Sequence, residues 1–164
     1  KCPQHLEQLP VLLNTFPDAT IAVTHRDPVA VVQSAITMLA YGQRINRREV
    51  LITELRDYWS ERIRLLLTRS VHDRPLLPAS QTIDVPFHIF MADDLAMIEQ
   101  IYAKAGLPFT PEASAALHHY VTHHPRGKEG QVEYHLERDF GISPAELRKN
   151  FSFYFDSSPA RVEL

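Results

Sequence analysis

The sequence predicts an α/β fold with a parallel sheet flanked by helices, on three observations. Two short apolar runs, Thr20 to Thr24 and Thr82 to Phe87, have strand length. The segments between and after them place apolar residues at helical spacing. Proline, glycine and capping residues punctuate the boundaries. Strand, helix, helix, strand, helix is an α/β alternation. A typical sheet has about five or six strands, so two are few. The 164 residues therefore read as a single domain, residues 1–164, forming the second half of a larger fold. A small α+β domain complete in itself is the rival reading.

Taken in order, His5 to Thr15 carries Leu6, Leu9, Leu12 and Leu13 at helical spacing, and Pro17-Asp18 ends it. Thr20 to Thr24 is apolar without alternation, which predicts a strand buried on both faces. Asp27 is a good N-cap and Pro28 suits the first helical position. The helix from Pro28 to Tyr41 carries Val29, Val32, Ile36 and Leu39. Arg47 to Ser70 is a long amphipathic helix with Leu51, Leu55, Tyr58, Trp59, Ile63, Leu66 and Leu67. Pro75 and Pro78 close that region. Thr82 to Phe87 is the second strand, interrupted by Pro86. Asp94 to Ala105 is a helix with Gly106 at its C-cap. Thr110-Pro111-Glu112 opens another, reaching His123. Ser143 to Asn150 is the last helix, with Ser143 as N-cap and Glu146 at capping-box spacing.

The composition is that of an ordinary soluble globular domain. A net charge of −3 gives no footing for a nucleic-acid binder. The single cysteine, Cys2, excludes an internal disulfide and fits a reducing compartment. No apolar run is long enough to span a bilayer. The chain opens Lys1-Cys2-Pro3, without a methionine.

The chemistry concentrates between Val23 and Ser34. Arg26 falls at the carboxyl end of a strand, the edge where open α/β sheets bind ligands. A guanidinium there can hold a phosphate bidentately. Ser34 lies two helical turns further on, and helix N-termini favour anions. The residues alone leave two readings open: an anion site, or an Arg26 paired with a nearby carboxylate.

Arg26, Pro28 and Ser34, eight residues after the arginine, resemble the strand, Arg-x-Pro and helical serine of sulfotransferases that use 3′-phosphoadenosine-5′-phosphosulfate (PAPS). The wording Thr24-His25-Arg26-Asp27-Pro28 resembles the bacterial branch of that family. Lys1-x-Pro3-x-His5 is similar to its lysine-containing segment. Asp84-Val85-Pro86-Phe87-His88, then Ala92-Asp93, is similar to its Tyr-Glu-Asp-Leu region, with Phe87 at the tyrosine position. Ile101-Tyr102 and Gly106-Leu107-Pro108 resemble the helix and turn that follow. Arg126-Gly127-Lys128-Glu129-Gly130 resembles its late Arg-Lys-Gly loop, with lysine and glycine exchanged.

The resemblance implies a P-loop NTPase-like sulfotransferase fold whose N-terminal phosphosulfate-loop part is absent from this chain, so that the chain alone should be inactive. It implies PAPS as cosubstrate, with no metal. Arg26 and Ser34 would grip the 3′-phosphate, and Phe87, Arg126, Gly127 and Lys128 would complete the cofactor site. Lys1 would stabilise the leaving oxygen and His5 would serve as general base. Many members carry the base two residues after the lysine, where this chain has Pro3. A base in the N-terminal part, or a structural role for His5, stays open. The acceptor would be a hydroxyl or amine of a small molecule, lipid or glycan. A cytoplasmic location is expected, and a homo-oligomer stays open. The alternative is a non-catalytic nucleotide- or partner-binding module of the same fold.

Two further patterns carry less. His25-Arg26-Asp27 and Asp139-Phe140-Gly141 read like kinase motifs, but Val32 stands where a kinase needs asparagine and no Gly-rich loop is present. Asp139-Phe140-Gly141 is expected to link a loop to the last helix. His118, His119, His123 and His124 include an i, i+4 pair, but Tyr120 stands where the metalloprotease motif needs an acid, so no metal site is expected.

Overall fold

In the computed structural model, which describes residues 2–125, 127, 128, 130 and 132–163, the first helical segment is split. A 3-10 turn at Pro3–Glu7 precedes α1 (Leu9–Thr15), with Gln8 between them at φ −130°. Pro10 lacks an N–H and its ring crowds the preceding turn, so one continuous helix from His5 cannot form. β1 (Ile21–His25) follows, then α2 (Pro28–Asn46) and α3 (Ile52–Asp73). The Asp27 side chain accepts from the Val29 N–H at 2.9 Å, the cap that the sequence predicts. α2 runs past Tyr41 because Gly42 does not stop it; the chain turns extended at Arg47.

β2 (Thr82–Pro86) pairs parallel with β1, with Ile21 opposite Thr82 and His25 opposite Pro86. The two form the whole sheet among the described residues. Pro86 ends β2 instead of interrupting it, and Phe87 opens α4 (Phe87–Ala92). α5 (Asp94–Lys104) and α6 (Pro111–His123) follow. Gly106, at φ 67°, takes the left-handed turn just beyond α5.

α7 (Leu136–Phe140), α8 (Pro144–Lys149) and α9 (Ser152–Ser157) close the chain. Asp139-Phe140-Gly141 is thus the end of a helix, with Gly141 as its left-handed cap at φ 64°. Ser143 stands at the N-cap of α8, but its side chain makes no cap bond, so the capping box does not form.

The main core lies under α2 and α3. Val29, Val32, Ile36 and Ala40 line one stripe of α2 and meet Leu55 and Ile63 of α3, with Leu136, Phe140, Leu147 and Phe151 from the C-terminal helices. Trp59 packs against this cluster, while Tyr58 is exposed. Fully burying side chains such as Ile36 or Phe151 contributes about 1.5–3 kcal/mol each. A smaller cluster joins Val23 of β1 to Leu9 and Leu77.

β1 is not buried on both faces. Val23 and His25 are buried, whereas Ala22 and Thr24 are exposed. Elements on either side of the strand differ: Val23 has a helix against it, and no described residues cover Ala22 and Thr24. Among the described residues, no helix is long and apolar enough to cross a membrane.

Candidate functional site

Strand alternation sends His25 and Arg26 to opposite environments at the carboxyl end of β1. His25 is 6% exposed. Its Nδ1 lies 2.8 Å from the Tyr154 hydroxyl and its Nε2 2.9 Å from Asp84 Oδ1. Arg74 reaches the other Asp84 oxygen at 2.8 Å. In a neutral His25, Nε2–H donates to Asp84 and Nδ1 accepts from the tyrosine. Burial pushes the Tyr154 phenol up to about 12. Partial burial would raise Asp84, but hydrogen bonds from His25 and Arg74 outweigh it and hold the carboxyl below its ordinary range. This chain of groups ties β1, β2 and α9 together.

Arg26 points outward, its side chain 42% exposed. Its Nε donates to Glu163 Oε1 at 2.9 Å and to Oε2 at 3.0 Å, and its Nη2 donates to Oε2 at 2.9 Å. The guanidinium carbon sits 4.3 Å from the centre of the Phe87 ring. Of the two readings of Arg26, a carboxylate partner is therefore present. The Nη1 end has no hydrogen-bond partner among the described residues.

Asp27 is 1% exposed and joins three parts of the chain. It caps α2, accepts from Arg148 at 3.2 Å through Oδ2, and accepts there from the Glu163 backbone N–H at 2.9 Å. The Asp27 N–H in turn donates to Glu163 Oε1 at 3.3 Å. Ser34 is further along α2, and its Oγ lies 3.5 Å from the Tyr134 hydroxyl. No hydrogen bond joins it to Arg26 among the described residues. Through this contact Tyr134 comes up against α2.

The strand with its outward arginine and the Asp-capped helix bearing Ser34 lie within the part of the chain that matches a known family. The sulfotransferase family model matches residues 1–111. The chain belongs to the sulfotransferase family. Among solved structures, it is similar to the crystal structure of sulfotransferase STF9 from Mycobacterium avium. The TM-score is 0.84 and the identity 25%, covering 99% of this chain and 42% of that one. It also shares its fold with sulfotransferase STF1 from Mycobacterium tuberculosis H37Rv, with a TM-score of 0.73 and 24% identity over 93% of this chain and 38% of that one. The chain thus spans about two fifths of the length of these sulfotransferases. No curated protein matches it.

The α/β sulfotransferase fold predicted from the sequence is the fold observed. The other sulfotransferase candidates are scattered. His5 is exposed in the Pro3–Glu7 turn, which Glu7 fastens to α3 through a two-point pair with Arg62. Gly127 adopts φ 77°, and Lys128 donates from Nζ to the His123 carbonyl at 3.1 Å, at the end of α6. Lys1 and Arg126 lie outside the described residues. In the histidine cluster, Nδ1 of His123 bonds the His119 carbonyl and Nδ1 of His124 bonds the Tyr120 carbonyl. Those ring nitrogens serve the helix end.

The sequence reading passed over His25, Glu163, Tyr134, Arg148 and Tyr154. His25 carried one usable signal: a histidine facing the same side of the strand as Val23. Glu163, Tyr134, Arg148 and Tyr154 carried none, because their partners are remote in the chain.

Proposed function

We propose that this chain contributes the 3′-phosphate-binding part of a sulfotransferase that moves a sulfuryl group from PAPS to a hydroxyl or amine of a small molecule, lipid or glycan. The observation that carries the reading is the outward Arg26 at the strand's carboxyl end, with its Nη1 end uncommitted. An arginine so placed suits a phosphate, since its planar fork matches two phosphate oxygens. Phe87 against the guanidinium, the capped start of α2 and Ser34 with Tyr134 beside it fit the same group. Gly127 and Lys128, with Arg126, belong to the loop preceding Tyr134 and would close the site.

PAPS, when bound, supplies the sulfuryl group and a phosphate leaving group. The residues of this chain hold and orient. Arg26 would neutralise the 3′-phosphate, and Ser34 would donate its hydroxyl to it. Lys1 would stabilise charge on the leaving oxygen. His5 would take the acceptor's proton at a ring nitrogen. Positioning and charge stabilisation supply most of the rate in such transfers.

Two measurements test this in the full-length protein. Arg26→Ala should weaken binding of 3′-phosphoadenosine-5′-phosphate by roughly tenfold to a hundredfold, the worth of a charge-assisted hydrogen bond or two. Binding of adenosine 5′-phosphate should hardly change. Equal losses for both ligands would remove the proposed role. His5→Ala should lower kcat by about a hundredfold or more with cofactor affinity unchanged. A normal kcat with a lowered melting temperature would assign His5 to structure.

A further inference from the structure

Arg26 is constrained on more sides than a ligand-binding arginine requires. The Phe87 ring lies against its guanidinium, with the central carbon 4.3 Å from the ring centre. Glu163 takes the Nε–Nη2 edge with both carboxylate oxygens, which fixes the direction in which that edge points. The remaining end, at Nη1, is the one left for another oxyanion. A guanidinium has enough donors to serve two planar acceptors at once.

Glu163 has its own anchor. Its backbone N–H donates to Asp27 Oδ2 at 2.9 Å, and Asp27 is a buried carboxylate that also caps α2 and meets Arg148. The tail is thus tied to the start of α2 independently of the arginine. Nor does the Glu163 carboxylate bridge Arg26 to Ser34: the Ser34 hydroxyl faces Tyr134. A carboxylate standing in for the phosphate would be expected between those two groups.

We propose that Glu163 is a positioning residue for phosphate recognition: it holds the Nε–Nη2 edge of Arg26 so that the Nη1 end is presented to the 3′-phosphate of the nucleotide. This rests on the 3′-phosphate reading given above. The physical gain is preorganisation. Arginine has many rotamers, and a fork already held in place loses less freedom when a phosphate arrives. The opposing effect is repulsion between carboxylate and phosphate, which water at this exposed site weakens.

The test compares Glu163→Ala with Glu163→Gln in the full-length protein, titrating 3′-phosphoadenosine-5′-phosphate and adenosine 5′-phosphate in parallel. The alanine variant should bind the 3′-phosphorylated ligand about tenfold more weakly, with adenosine 5′-phosphate unchanged. Glutamine keeps an oxygen that accepts from Nε, so it should stay within about threefold of wild type. A merely structural role for Glu163 would not move the ratio between the two ligands. Should the alanine variant melt below the assay temperature, Glu163→Asp replaces it. One methylene shorter, aspartate cannot span both donors from the same backbone position, and it should show the same selective loss. Tighter binding in both the alanine and glutamine variants would overturn the proposal, making Glu163 a competitor for the phosphate's place. No change, or an equal loss in alanine and glutamine, would overturn it as well. A wild type that does not distinguish the two ligands would instead sink the 3′-phosphate reading itself, and this inference with it.

Discussion

His25 and Arg26 are neighbours in the chain and opposites in the structure. The histidine is inside, with both ring nitrogens spent on Tyr154 and Asp84. The arginine is outside, with one end of its fork unspent. One peptide unit of a strand reverses the side-chain direction, and that reversal separates a buried, structural side chain from the outward one to which we assign recognition. Buried polar groups are costly unless satisfied, so His25 is bound by its surroundings to a single arrangement. A partly exposed ion pair contributes little to stability, which leaves Arg26 free for the binding role proposed for it.

Substitution should expose the contrast. His25→Ala takes one partner from Asp84, which keeps Arg74, and one from the buried Tyr154 hydroxyl, and leaves a cavity; it should destabilise the fold by about 2–4 kcal/mol, read from denaturant unfolding. Nucleotide affinity of the folded fraction should hold. A loss below about half a kcal/mol would mean that the buried chain of groups is ornamental. Arg26→Ala should do the reverse: its selective loss of nucleotide affinity should come with a stability change within about 1 kcal/mol.

Acid gives the smallest effect. The folded-state pKa of Asp84 lies below its ordinary value, so its contribution is fully present above the unfolded value of about 4 and is lost as pH falls through the folded one. The gap in melting temperature between wild type and Asp84→Asn should therefore be full above about pH 4 and close as pH falls below it. Parallel curves across the whole range would show that the carboxylate charge is not what His25 and Arg74 hold.

What the sequence made legible follows the range of the signals. α2, α5 and α6 announced themselves through Asp27-Pro28, Gly106 and Thr110-Pro111, because caps and prolines act within a few residues. α7 and α9 are too short for helical periodicity to show. An apolar run such as Ile21 to Val23 cannot say whether both faces are covered, since exposure is decided by elements elsewhere. The same limit governs the site. Arg26 and Ser34 stood out by their place at a strand end and along a helix, resemblance to a family supplied the role proposed for them and for Phe87, and Asp27 read as a cap. Glu163 had no local mark, because its partners lie near the other end of the chain. His25 was visible, but inside a word that looked borrowed from kinases.

The parallel pairing of β1 with β2 has a consequence for how the molecule assembles. The strands cannot meet directly; α2 and α3 are the chain between them. Closing that span costs entropy before any strand pairing rewards it. Helix packing through Ile36 and Ile63 should accordingly come first, and the sheet should register afterwards. Folding kinetics would then divide the molecule by time: Ile36→Val should mainly slow refolding, while changes at the β1–β2 pairing, such as Val85→Ala, should mainly speed unfolding. The edge that carries Arg26 would be among the last features of the native state to take its shape.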